Sequence, residues 1–94
     1  MSVKEIRKLI EEMNLRVPKD HHKMNTKQLS GELRNVMEFE RSTFQRIEEF
    51  EKNGVEEDLT TYAKMICKNT VEREISEIQE IYFKKIDDEY LNSN

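Results

Sequence analysis

Chemistry in this chain would have to come from very few side chains, and few are arranged for it. His21 and His22 are the only histidines in the 94 residues. Adjacent residues cannot share one face of a helix, and no His-Glu-x-x-His or Glu-x-x-His pattern for zinc or iron is present. The pair reads as solvent-exposed loop polarity. Glu74, Glu77 and Glu80 recur every third residue with Arg73 and Lys84 among them, the pattern of a wet helix face rather than of a working acid and base. Cys67 has no second cysteine to pair with and stands near Ala63, Ile66 and Val71, so it reads as a small buried hydrophobe, not a reactive thiol. Two glycines leave no phosphate-cradling loop, nucleophile elbow or cofactor fingerprint. The sequence therefore offers no catalytic residue, no cofactor and no metal ligand, and a non-enzymatic protein is expected.

Charge is unevenly spread. Residues 1–27 hold seven Lys or Arg against four Asp or Glu, and residues 28–94 hold nine against sixteen, within a net charge of −4. A basic head on an acidic body could steer a negatively charged partner, pair with the body, or simply be solvated; ordinary solvation is favoured. If the head binds phosphate, the candidates are Lys4, Arg7, Lys8, Arg16, Lys19, Lys23 and Lys27.

The elements that would position these groups are helices. One proline and two glycines among 94 residues supply too little turn chemistry for a β fold. Ser2 and Glu5 form a capping-box pattern, with Met1 placed to staple onto Ile6, so a first helix should begin at Val3 and run to about Asn14. Its apolar residues Ile6, Leu9, Ile10 and Met13 share one face. Pro18 biases Val17 to an extended conformation, and residues 15–25 form a loop. A second helix is expected over 26–53, capped by Asn25 or Thr26 and ended by a left-handed Gly54, with Gly31 its weak point. Its stripe is Leu29, Leu33, Val36, Met37, Phe44, Ile47 and Phe50, interrupted by Glu40, which is placed at a wet rim.

A third helix spans 56–91 behind Glu56, Glu57 and Asp58. It carries two stripes slightly out of phase: Leu59, Tyr62, Ala63 and Ile66, then Val71, Ile75, Ile78, Tyr82 and Ile86. One unbroken or gently kinked rod is favoured over a break near Asn69. The fold expected is all-α: a short head helix, a loop and two long antiparallel helices in a single domain, as a bundle or a dimeric bundle. Phe39, Ile81 and Phe83 lie off the stripes, which implies a second apolar face that association would cover.

The aromatic residues all lie outside the basic head, so the interleaving of stacking and basic groups that single-strand binding needs is missing. Phe39, Phe44, Phe50, Ile78, Tyr82, Phe83 and Tyr90 are instead the candidate contacts to a protein partner. That partner is expected to be a second copy first, or a larger complex. No apolar run is long enough to span a membrane and no leader pattern is present, so a cytoplasmic, reducing setting is expected.

Two family resemblances accompany this reading. Val3 to Ile10, then Asn14-Leu15, then Thr26-Lys27-Gln28-Leu29 through Leu33 resemble the helix, extended loop, helix layout of SAP and LEM domains, which implies binding to DNA or to DNA-bridging proteins. The chain lacks their glycine after the first helix, and no functional residue carries over. Glu32-Leu33-Arg34, Glu40-Arg41-Ser42, Gln45-Arg46-Ile47 and Glu80-Ile81 to Lys84-Lys85-Ile86 are similar to the helical domain of GINS replication subunits, without the β domain. The favoured function is a helical adaptor, inhibitor or assembly subunit. The alternative is a nucleic-acid-associated factor using the basic head.

Overall fold

A computed structural model describes residues 3–17 and 19–91. Helix α1 covers Val3–Asn14, a 3-10 turn covers His21–Lys23, α2 covers Thr26–Lys52 and α3 covers Glu57–Ile86, followed by a π-helical turn over Asp87–Leu91. No strand occurs among the described residues. The Ser2 cap, the Met1 staple and Pro18 lie outside them.

Local chemistry sets the helix ends. The Asn25 side chain accepts the Gln28 N–H at 2.8 Å while the Gln28 side chain accepts the Asn25 N–H at 2.9 Å, a reciprocal cap that fixes the start of α2. Such a cap is worth about 1 kcal/mol, similar to the cost of Gly31 inside the helix, so α2 starts at Thr26 and runs through Gly31. At the far end Gly54 has φ of 90°. The Val55 N–H reaches Phe50 O at 3.0 Å and the Gly54 N–H reaches Glu51 O at 3.2 Å. These two bonds, with Phe50 and Val55 both buried, define a Schellman stop.

The 27 residues of α2 and 30 of α3 make rods of about 40 and 45 Å. Packed side by side, they give a molecule of 60 × 19 × 17 Å. The radius of gyration is 16.8 Å, against about 12 Å for a compact chain of this length. The core is therefore a seam. In α2 it passes through Leu29, Val36, Thr43 and Phe50, and in α3 through Thr60, Cys67, Glu74 and Ile81, all buried and seven residues apart. A seven-residue repeat keeps one face turned toward a neighbouring helix over its full length.

That seam corrects the reading of α3. The buried line is single, with Ala63, Val71 and Ile78 filling between the sevenths. It looked like two stripes because Thr60, Cys67 and Glu74 occupy positions where an apolar residue was sought. Tyr62 stands on the outer surface, 53% exposed. The helix passes Asn69 without interruption, ends at Ile86 and widens into the π turn. Asp87, Asp88 and Glu89 there meet the negative end of the helix dipole, which opposes a further α turn.

Helix α1 buries Ile6, Leu9 and Met13 and packs mainly on α3. Residues 15–17 and 19–25 lie beside the hairpin toward the start of α2 and the end of α3. The Lys85 ammonium donates to the carbonyls of His22, at 3.2 Å, and Met24.

A Cβ at Gly31 would meet nothing within 4 Å, so Gly31→Ala should raise stability by about 0.5–1 kcal/mol. Gly54→Ala should lower it by a similar amount or more, because its φ is positive. Urea midpoints of the two variants check both signs.

Candidate functional site

The hairpin has two long sides, and they differ. On one, residues 15–25 act as a strap held by ionic side chains. Arg16 Nε donates to Glu74 Oε2 at 2.7 Å, and the same guanidinium lies 4.1 Å over the Phe39 ring. Lys19 Nζ donates to Glu32 Oε2 at 3.2 Å, where Asn35 Nδ2 adds a contact at 3.5 Å. His21 Nδ1 lies 3.0 Å from Glu77 Oε1. Nearer the hairpin tip, Arg46 stands 3.8 Å from Glu12. Glu32, Phe39 and Arg46 are seven apart, so one row of α2 faces α1 and the strap throughout.

These contacts correct several sequence expectations. His21 is 1% exposed, and its Nε2 is buried with no hydrogen-bond partner. Loop position suggested exposure, but the 3-10 turn folds the ring inward against α3. Glu74 is buried, not on a wet face, because it takes a seventh position of the seam and receives Arg16 from 58 residues away. The basic head pairs with the acidic body inside one molecule. Arg16 and Lys19 are therefore committed to carboxylates, and Lys23 stands 3.8 Å from Asp20. Lys4, Arg7, Lys8 and Lys27 remain exposed on α1 and the first turn of α2, so the seven candidate phosphate ligands are not gathered into one surface.

Among the described residues the opposite side of the hairpin carries no such cover. Leu33 and Glu40 lie one residue on from the strap-facing row, and Met37 and Phe44 one residue on from the seam positions Val36 and Thr43, each step about 100° around α2. Ile75 and Tyr82 hold the matching row of α3. At the base, Leu29, Leu33, Ile78, Tyr82 and Phe83 line a shallow cleft, in which the Tyr82 and Phe83 rings meet edge to face at 6.2 Å. Phe83 is 60% exposed and Met37 55%. Leu33, Phe44, Ile75 and Tyr82 are half-buried against the core. Toward the tip the apolar surface gives way to Lys64 and Glu51, paired at 2.8 Å. That ammonium holds the Glu51 carboxyl below its usual range, while Glu51 raises the Lys64 pKa.

Of the seven partner contacts read from sequence, Phe44, Tyr82 and Phe83 therefore share this open face. Tyr90 is exposed beyond it in the π turn. Phe50 and Ile78 are corrected to core positions, because they sit on the buried side of the hairpin seam. Phe39 lies on the strap side under Arg16. Met37, not among the seven, belongs to the face; its spacing of four from Leu33 and seven from Phe44 was the available signal. For Glu32 and Glu74 the signal was their place in the seven-residue repeat.

Among the described residues no cluster of His, Cys, Asp and Glu could hold a metal ion, and no helix is long and apolar enough to cross a membrane. No protein-family model matches the chain, nor does any curated protein or solved structure. The SAP, LEM and GINS resemblances accordingly supply no functional residue.

Cys67 is fully buried in the seam. Burial pushes its thiol up from 9.0 to about 11, with the Glu40 charge adding to the shift and Arg16 opposing it. The folded chain thus keeps a proton that the unfolded chain releases. This contribution to stability is complete below pH 9.0 and is lost as the pH rises to about 11. Cys67→Ala should show a shallower alkaline loss than the parent across that window, read from urea midpoints.

Arg16→Met leaves the buried Glu74 carboxylate without its cation. Breaking a buried pair costs about 3–5 kcal/mol; with 27% of the Arg16 side chain exposed, about 2–3 kcal/mol is expected after solvent screening. Adding Glu74→Met should recover most of that loss.

Proposed function

We propose that this chain is a non-enzymatic helical binding subunit, and that its work is to bury the open α2–α3 face against another protein. One observation carries the reading. Met37 and Phe83 stand more than half exposed on the single side of the hairpin left uncovered by α1 and the strap, continuous with half-buried Leu33, Phe44, Ile75 and Tyr82. A contiguous row of apolar side chains of this kind, wider than singly exposed residues such as Leu15, Tyr62 and Met65, marks an interaction surface. Covering a Met or Phe side chain is worth about 1.5–3 kcal/mol, and two or three such anchors supply most of the energy of a specific complex.

The other long side is already satisfied by charge pairing, and its clefts are lined by Arg16, Arg73, Glu74 and Glu77. Its exposed apolar residues, Leu15 and Val17, stand on the strap itself and not in a row along the helices. The phosphate-binding alternative has its cations dispersed or neutralised, and no observation favours it.

A photo-crosslinking side chain placed at Met37, and at Lys8 on the exposed side of α1 as reference, tests the reading in the expressing cell. Discrete adducts are expected from position 37, diminished at least about 10-fold by Phe83→Glu, with few from position 8. Equal or absent labelling at the two positions would overturn the docking-face reading.

A further inference from the structure

We propose that the occupant of the open face is a second copy of this chain, related by a two-fold axis running parallel to the rod. The α2 helix of each copy then lies against α3 of the other, and four helices alternate in direction around a common core. This rests on the docking-face reading above and names its partner.

The distribution of apolar groups fixes the direction of the axis. Ser30, Met37 and Phe44 on α2, and Ile75 and Tyr82 on α3, make the base and middle of the face mostly small and apolar, with the half-buried Glu40 its one carboxylate there among the described residues. Glu51, Lys64 and Lys68 place charges toward the tip. An axis parallel to the rod keeps base on base and apolar on apolar. A perpendicular axis at full overlap would lay Tyr82 over the Glu51–Lys64 pair and desolvate those charges.

The flanks are complementary in the same arrangement. Lys27, Arg34 and Arg41 recur every seven residues along the outer edge of α2, while Glu72 and Gln79 hold the outer edge of α3. Arg34, Arg41 and Glu72 are exposed, and none of them forms a salt bridge within the described chain. Flanking charges of this kind choose the partner in helical assemblies. The register within one chain supplies their levels, because Arg16 joins Phe39 to Glu74. Arg41, two residues on from Phe39, is level with Glu72, two back from Glu74. Arg34 is level with Gln79 by the same count. The parallel axis carries these levels across the interface, so each copy sets Arg41 beside the other's Glu72.

The surface area agrees. The chain exposes 7023 Å², whereas a compact monomer of its mass exposes about 5,800 Å². The surplus exceeds the roughly 800 Å² that each partner gives to a standard specific interface.

Sedimentation equilibrium on the purified chain at about 100 µM tests the assembly. A mass twice 11.4 kDa is expected for the parent. Phe83→Glu should weaken association at least about 10-fold. Arg41→Glu should weaken it by about 3-fold, and Arg41→Glu combined with Glu72→Arg should restore it. The axis is read by mixing an Arg41→Cys chain with a Glu72→Cys chain under oxidation. A disulfide between the two variants is expected, with no Arg41→Cys homodimer. A parent that stays monomeric while position 37 crosslinks to a different protein would overturn the second-copy assignment and leave the docking face standing. Absence of both association and adducts would remove both. Arg41→Cys homodimers, or a dimer indifferent to Phe83→Glu, would overturn the proposed geometry.

Discussion

Two helices lying side by side can bury only the seam between them, and everything else about this molecule follows from that constraint. A hairpin has two open flanks. Among the described residues one short helix and the connecting segment are placed over them, and both lie on one side. Helix α1 closes the tip half of that side with Ile6, Leu9 and Met13, and the strap closes the base half with charge. The other side stays open, and its half-exposed apolar groups are the consequence.

The two flanks are closed, or left open, by different physics. Under the strap, Glu74 occupies a seam position that would suit leucine and Glu32 a buried place in the strap-facing row, and each draws in a cation from the head. Such pairs recover their desolvation cost only when the geometry is good, so they add less stability than apolar residues of the same size. They do set the path of the strap, because the cations must meet particular carboxylates. His21 adds to that cost with a buried nitrogen that lacks a partner. Among the described residues the open flank carries no ion pair reaching from the head, although Glu40 is half-buried on it. On the proposed reading, contact of its apolar residues with another helix pair would add stability by mass action.

Features of local origin were legible in the sequence. Asn25 or Thr26 marked the start of α2, Gly54 its end, and the scarcity of glycine and proline the all-helical class. The apolar rhythm of α1 located Ile6, Leu9 and Met13 correctly. Features that depend on distant parts of the chain were not legible in this way. His21 is buried because residue 77 lies above it, and Glu74 is buried because Arg16 reaches it; neither relation leaves a trace in a short window. The apparent phase break in α3 has the same origin, since the seam takes Thr60, Cys67 and Glu74 at positions that a search for apolar residues passes over. Phe50 and Ile78 were assigned to a partner because, in sequence alone, the buried and open rows of one amphipathic helix look alike.

The account rests on an open apolar flank set against a flank closed by charge. Hydroxyl-radical footprinting of single side chains, from dilute to concentrated protein, examines that contrast directly. The account predicts that Phe39 is protected at every concentration, and that Met37 and Phe83 react in dilute solution and become protected together as the face is covered. Protection of Met37 and Phe83 in the dilute monomer, or ready reaction of Phe39, would contradict it.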